Sequence, residues 1–425
     1  MRLPTRLDVL RLRNFRNLFI GEAVSMLGDG LFPVALTFGV LDLHHSGIDV
    51  GLVLAAFSLP LVLFTLVGGV WSDRLRREWV MIASDLVRFV TMAVIAALLL
   101  SGRAQVWSLA LLGFVYGCGD AFFFPAYVAL IQQIVPPDRL QEANALRGMA
   151  DGFGWFVGPA ISGILVALIG AGGTLGLDAA TFLVSAGFLL ILRVPALLRT
   201  KAPATFFAEL RDGWREVRSR TWLWVMMLRA MLVLFVTIAP LQVLGPLALV
   251  ARHESPALWG LMVGLFSLGM LGGGLIALYY RPRRPMVTVA LCGTTASAPM
   301  IALALRLAPA ELLAVWLLRG VAIGVLAALW DTALQRRIAG ESMARVSSWD
   351  WMTSGGLWPL GLVLAGPVAQ LMGVTDALWL SAGLGIALSL WVLLVKDVWR
   401  LRGLPPGTTT APPAPIDYTP EIGPP

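Results

Sequence analysis

Along this chain, apolar residues come in runs of about twenty, cut by short polar stretches that carry most of the arginine. Runs of this length suit a hydrocarbon core of about 30 Å crossed by a helix rising about 1.5 Å per residue. The pattern predicts twelve spans: 17–41, 50–71, 79–101, 107–134, 142–169, 175–194, 222–249, 257–279, 286–305, 311–335, 345–371 and 376–396. Each must be helical, because backbone N–H and C=O groups in lipid need partners within their own segment. The strongest breaks are a polar stretch at 195–221 and a Pro-rich tail after Gly403. The expected organisation is a six-helix half over 1–194, a linker over 195–221, a second half over 222–399 and a disordered tail over 400–425.

Composition supports the reading. Apolar residues make up 58% of the 425 and charged residues 13%, with a mean hydropathy of +0.81. Soluble domains hold roughly 45–50% apolar and about 25% charged residues, so the excess here must face lipid. A net charge of +7 raises nucleic acid as a partner. The basic residues punctuate apolar spans instead of lining one polar face, which excludes it. Cys118 and Cys292 lie far apart within apolar runs, and the three histidines stand in no zinc-binding spacing, so neither a disulfide nor a metal centre is expected. Met1–Arg16 is basic and leads into an apolar run too long for a cleavable signal, so it opens a first span. Many of the 16 tryptophans, including Trp71, Trp79, Trp107, Trp222 and Trp399, sit near span ends as an interfacial belt.

Charge placement assigns sides. One set of alternate loops and ends carries 26 Lys and Arg, whereas the other holds only Arg103, Arg252 and Arg306. This imbalance predicts both termini and the central loop in the cytoplasm, and hence an even number of spans. A weak internal repeat points the same way. Leu130–Gly152 aligns without gaps on Ala333–Gly355 at an offset of 203, and both copies fall between the fourth and fifth spans of their halves. Two six-span halves joined by a basic loop suggest a transporter with parallel repeats.

Two motifs sharpen this. The loop after span two reads Gly68-Gly69-Val70-Trp71-Ser72-Asp73-Arg74-Leu75-Arg76-Arg77. It resembles the loop motif of the major facilitator superfamily, with Arg76 where the family usually has a second glycine. Ala83-Ser84-Asp85-Leu86-Val87-Arg88 resembles the branch containing macrolide and siderophore exporters. The likeness runs from about Asn14 to Lys396. It implies that Gly69, Asp73, Arg74, Arg77, Asp85 and Arg88 form a gating cluster at the cytoplasmic face, with Asp73 pairing with Arg74, Arg77 or Arg88. The matching loop in the second half, Tyr279-Tyr280-Arg281-Pro282-Arg283-Arg284, keeps the bases and lacks the acid. Span five, Gly154-Trp155-Phe156-Val157-Gly158-Pro159-Ala160-Ile161-Ser162-Gly163, resembles the family's antiporter motif. Gly154 and Gly158 share a face for close helix approach, Pro159 permits a bend, and Gly163 completes the pattern. In the family this motif implies exchange of drug for proton.

Charges inside spans are the remaining candidates. Asp29 lies mid-span one and Asp120 mid-span four, where an ionised carboxyl costs roughly 2.5–3.5 kcal/mol on insertion scales. Glu22 precedes Asp29 by two turns on the same face. All three are candidates for proton coupling or substrate contact. Arg229 and Arg319 are the opposite charges, placed to neutralise Asp29 and Asp120 across the halves or to meet an anionic substrate. The alternative for Asp29, in Gly28-Asp29-Gly30, is a local backbone bond at a kink; for Arg229 it is snorkelling towards the span end.

The expectation is an all-α major facilitator protein of twelve transmembrane helices in two pseudo-symmetric halves, embedded in the cell membrane as a monomer. It would export small lipophilic molecules, cationic ones included, by alternating access, driven by a proton gradient without a cofactor. Import or lipid flipping by the same fold is the rival. No nucleotide loop, His-Glu zinc pair or Ser/Cys nucleophile signature suggests an enzyme.

Overall fold

A computed structural model describes residues 8–72, 75–194, 206–338 and 340–402, and within them every regular element is helical. The crossings are α1 (Arg13–His44), α2 (Gly47–Ser72), α3 (Arg77–Leu100), α4 (Val106–Ile134), α5 (140–169) and α6 (171–190) in the first half. The second half comprises α7 (Thr221–Val250), α8 (Pro256–Tyr279), α9 (Pro285–Ala304), α10 (Pro309–Arg337), α11 (Arg345–Met372) and α12 (Val374–Leu394). Asp73, Arg74, the stretch 195–205 and the tail 403–425 lie outside the described residues.

Hydropathy places a loop between spans five and six, but the backbone runs on as helix from Leu140 to Leu190. A straight helix of that length would reach about 75 Å, far more than a bilayer core, so it must fold back. It does so at Gly170, whose φ of 76° and ψ of 168° suit a residue without Cβ. Both arms then return along α1. Gly154 and Gly158 of α5 meet Gly30, while Asp178 and Thr181 of α6 meet Gly28. At the chain's first end the three are tied by Asn14 Nδ2 donating to Arg193 O at 2.8 Å and Arg139 Nη1 donating to Asp8 O at 3.2 Å.

The repeat has a structural counterpart. α4 ends with Val135 capping back to Ile131 O, and α10 ends with Ile338 capping back to Leu334 O, 203 residues later. The polar stretch between the halves holds a helix that hydropathy cannot see, Phe206–Arg218, whose Trp214 ring lies 4.9 Å from that of Trp349 on α11. α7 is interrupted by a π turn at Leu234–Ile238 just before Pro240, which has no N–H to continue the regular ladder.

The halves touch on the side away from the chain ends. Gly163 of α5 lies against Pro256 and Gly260 of α8, and Gly47 and Gly51 of α2 lie against Gly366 and Leu362 of α11. Towards the side carrying the ends, Gly148 and Gly152 of α5 and Gly355 and Gly356 of α11 face open space. The bundle is therefore a V, closed at one membrane face and open at the other. Its outer surface exposes Leu63, Leu111, Leu168, Leu275 and Leu371, while Glu22, Asp85, Arg88 and Asp178 are buried within. Water would penalise exposed leucine at about 25 cal/mol per Å². Lipid does not, which is why this inverted distribution is stable there.

Candidate functional site

Arg88 of α3 organises the first half. Its side chain is 1% exposed, and Nη2 donates to Asp85 Oδ1 at 2.5 Å, one helical turn back. Nη1 stands 3.6 Å from Asp29 Oδ2 on α1 and 3.6 Å from Asp120 Oδ1 on α4. The guanidinium also lies over the Phe123 ring at 4.0 Å and the Phe182 ring at 4.5 Å. One cation thus serves three carboxylates from three helices, and aromatic faces take up its remaining field. Tyr116 of α4 donates to Asp29 Oδ1 at 3.1 Å, so Asp29 is held from two directions.

The cluster is not sealed. Asp29 and Asp120 remain 35% and 33% exposed, whereas Asp85 is fully buried. Glu22 is buried two turns from Asp29, and its Oε1 has no hydrogen-bond partner among the described residues. Asp178 of α6 is also fully buried against Gly28, and neither of its carboxyl oxygens has a partner there. Its position near a span end hides this in the sequence: residue 178 looks like a helix-end acid until the Gly170 turn brings α6 alongside Asp29. Tyr116 was equally invisible, since an aromatic in an apolar run carries no signal of its partner.

The expected gate divides. Asp73 and Arg74 lie outside the described residues, and Gly69 belongs to the last turns of α2. Arg77 Nη1 donates to Ala129 O at 2.7 Å and Gln133 Oε1 at 3.5 Å, pinning the start of α3 to the end of α4. Arg88 lies about 16 Å further along α3, so it serves the buried cluster and not the loop.

The antiporter-like motif has two working faces. A Cβ on Gly158 would stand 2.5 Å from Gly30 Cα, and one on Gly154 would stand 2.7 Å from Met26 O, so this face admits only glycine against α1. Ser162 Oγ donates to Leu31 O at 2.5 Å on the same contact. Gly163, with the carbonyl of Pro159, meets Gly260 on α8 of the other half. Ser267 Oγ of α8 adds a 3.0 Å bond to Trp155 O. α5 is therefore packed tightly to its own half and to the opposite one at once.

In the second half, Arg229 and Arg319 are buried at 4% and 7% exposure, and neither has an ion-pair partner among the described residues. They do not neutralise Asp29 and Asp120, because Arg88 already holds both. Arg229 lays its guanidinium against Gly293 on α9, so a Cβ there would require the end of that side chain to shift. Arg319 lies over the Phe266 ring at 4.3 Å. A cavity of about 280 Å³ opens between α7 and α11, lined by Leu234, Asp350, Trp351, Ser354, Gly355 and Trp358. Asp350 accepts from Trp330 Nε1 at 3.1 Å, and Trp351 is 76% exposed. No group of three or more His, Cys, Asp and Glu with metal-binding placement occurs among the described residues.

Comparison with known proteins agrees with this architecture. The sequence model of the Major Facilitator Superfamily matches residues 18–361. Macrolide efflux protein A of Streptococcus pyogenes is 23% identical over 394 residues, covering 91% of this chain and 97% of that protein. Multidrug efflux pump Tap of Mycolicibacterium fortuitum is 29% identical over 390 residues, covering 87% and 91%. Among solved structures, the nucleoside transporter NupG superposes with a TM-score of 0.71 at 13% identity over 89% of this chain and 98% of its own. A bacterial homologue of the lysosomal transporter Spinster, in an inward-facing conformation, gives 0.64 at 16% identity over 94% and 97%. At these identities the structural likeness establishes the fold alone.

Proposed function

This chain belongs to the major facilitator superfamily, a transporter and not an enzyme, and from that premise we propose that it exports small lipophilic molecules in exchange for protons. The observation that carries the reading is the cluster around Arg88, where Asp29, Asp85 and Asp120 share one guanidinium and two of the three acids remain accessible. Protons or a cationic cargo reach the cluster through Asp29 and Asp120. Each competes with Arg88 for a carboxylate, so occupancy rearranges contacts among α1, α3 and α4. Such a cluster is a coupling device when its two occupants favour different conformations. Glu22, whose Oε1 has no partner, and Asp178, neither of whose carboxyl oxygens has one among the described residues, are further sites where a proton relieves the cost of an isolated charge.

The rest of the cycle follows from the V. Both termini and the arginine-rich loops face the cytoplasm, by the charge bias of the loops, and the protein sits in the cell membrane. The open side is then the cytoplasmic one, from which cargo enters between α7 and α11. Trp351 and Trp358 offer aromatic faces and Asp350 a carboxylate, a combination suited to a lipophilic cation. Rocking about the Gly163–Gly260 contact closes this side and opens the other, the alternating-access movement of parallel-repeat transporters. The names of the efflux relatives support the outward direction.

Inverted membrane vesicles test the reading with ethidium as the cargo probe. An acid-inside gradient should drive ethidium accumulation, and collapsing the gradient should abolish it. Asp29→Asn should cut the gradient-driven part at least tenfold while leaving binding measurable. Accumulation that persists without a gradient, or an unimpaired Asp29→Asn protein, would refute proton coupling.

A further inference from the structure

Arg319 takes no part in the proposed cycle, yet it occupies a place that the first half uses. α4 and α10 keep one register at an offset of 203, so Arg319 stands where α4 has Tyr116, and Ile323 where it has Asp120. Tyr116 reaches inward and donates to Asp29 of α1 at 3.1 Å. Arg319 instead lays its guanidinium over the Phe266 ring of α8 at 4.3 Å and is 7% exposed. Its Nε is sealed without an acceptor, and it has no ion pair among the described residues. About 15 Å of helix separates it from Pro309 at the start of α10, which sets the charge near the midplane.

No acid of the second half can serve it. α7, α8 and α9 contain none, and α10, α11 and α12 contain only Glu311, Asp331, Asp350 and Asp376. Glu311 accepts from Ala308 N at 2.8 Å, Asp350 from Trp330, and Asp376 belongs to the first turn of α12. Asp331 lies about 18 Å further along α10. The acids whose side chains are outside the described residues, Asp73, Glu209, Glu341, Asp417 and Glu421, fall in sequence outside the crossings. Glu341 follows the end of α10, which is itself about 27 Å of helix from Arg319. An arginine held in the bilayer interior needs a partner or a wet chamber.

Its surroundings lie on the path of cargo. Trp330, three turns on along the same face of α10, bonds Asp350 at the edge of the 280 Å³ cavity. In the other direction, about one turn away, Trp316 meets Trp259 of α8 with ring centroids 6.0 Å apart, both buried. Arg319 therefore stands between the open cavity and the seal at the closed face. A fork of N–H donors backed by an aromatic ring matches a planar carboxylate on an aromatic body. We propose that Arg319 anchors the carboxylate of the cargo. The assignment rests on the export reading and deepens it by naming the cargo class: aromatic zwitterions are favoured over plain cations such as ethidium.

The test uses the full-length protein in detergent and two dyes with one cationic ring system: rhodamine 110, a free carboxylate, and rhodamine 123, its methyl ester. Binding is read by fluorescence anisotropy against protein-free micelles, with no gradient present. Rhodamine 110 should bind at least fivefold tighter than rhodamine 123. Arg319→Gln should weaken rhodamine 110 at least fivefold and rhodamine 123 less than twofold, whereas Arg103→Gln, between α3 and α4, should change neither. If Arg319→Gln does not fold, Arg319→Lys decides, because it keeps the charge and loses the fork; the preference should then fall at least twofold. Equal binding of the two dyes by the unsubstituted protein, or a preference that survives substitution of Arg319, would overturn the site. A preference lost only in Arg229→Gln would overturn it equally, by moving the anchor to α7. Without a gradient the two readings separate: a failed preference leaves ethidium exchange intact, and failed proton coupling leaves the preference intact.

Discussion

In the first half, one guanidinium is divided among Asp29, Asp85 and Asp120, with Glu22 and Asp178 buried close by; in the second half, Arg229 and Arg319 are buried with no carboxylate against them among the described residues. The helices of the two halves follow one plan, down to caps on α4 and α10 that lie 203 residues apart. Their charges do not. The backbone plan repeats, while the interior polar groups form an acid-rich cluster in one half and a pair of cations without ion pairs among the described residues in the other. Buried charge of opposite sign in the two halves means that conformational change moves them relative to each other. In the cycle proposed above, a proton or cargo molecule bound in one half acts through this difference on the interface with the other.

The sharpest way to break this comparison is to remove the cation from each half. Arg88→Leu strips three carboxylates of their partner, and breaking a buried pair costs about 3–5 kcal/mol, so thermal unfolding should show a poorly folded protein. Arg319→Leu removes a buried charge that has no ion pair among the described residues, and its melting temperature should change little. Equal losses would mean that Arg319 has a structural role matching that of Arg88.

A smaller effect separates paired from unpaired acids within the first half. Asp85→Asn weakens a charged hydrogen bond and should cost about 1.5–3 kcal/mol. Asp178→Asn replaces a carboxyl with no partner among the described residues and should shift stability by less than about 1 kcal/mol, while reducing the number of protons bound in the proposed cycle. Unfolding curves check the first part, and proton uptake by purified protein checks the second.

The glycine contacts rank next. Gly158→Val forces a side chain against Gly30 inside one half, an overpacking that costs about 1–3 kcal/mol. Gly260→Val intrudes between the halves and should change transport more than melting. The smallest effect is expected at Gly293→Ala, because the group it meets is the end of the Arg229 side chain, which can swing aside. Less than about 1 kcal/mol should be lost, with any change in transport confined to cargo affinity. A large loss there would place Arg229 in a rigid site and bring the second half closer to the first.

Much of this was legible along the chain. Asp29 and Asp120 stand out because a carboxyl in the middle of an apolar run has no cheap explanation. Arg88 was visible as a charge but not as a hub, since its partners come from α1 and α4 as well as from its own helix. Asp178 lies near the end of an apolar run, where an acid reads as a helix-end residue, and that reading holds only for a helix that ends at a loop. The turn at Gly170 removed the loop and put α6 against α1. Gly260 carried no signal, because a small residue acquires meaning only when another backbone arrives.

The number of crossings and the doubling of the six-helix plan follow from composition and periodicity, because lipid imposes helix length and backbone pairing locally. Which buried charges meet, which remain alone and which face the V opens towards depend on side chains distant in sequence. Electrostatic partnership acts over a few ångströms in space, and only packing brings residues such as 29, 88 and 120 within that range.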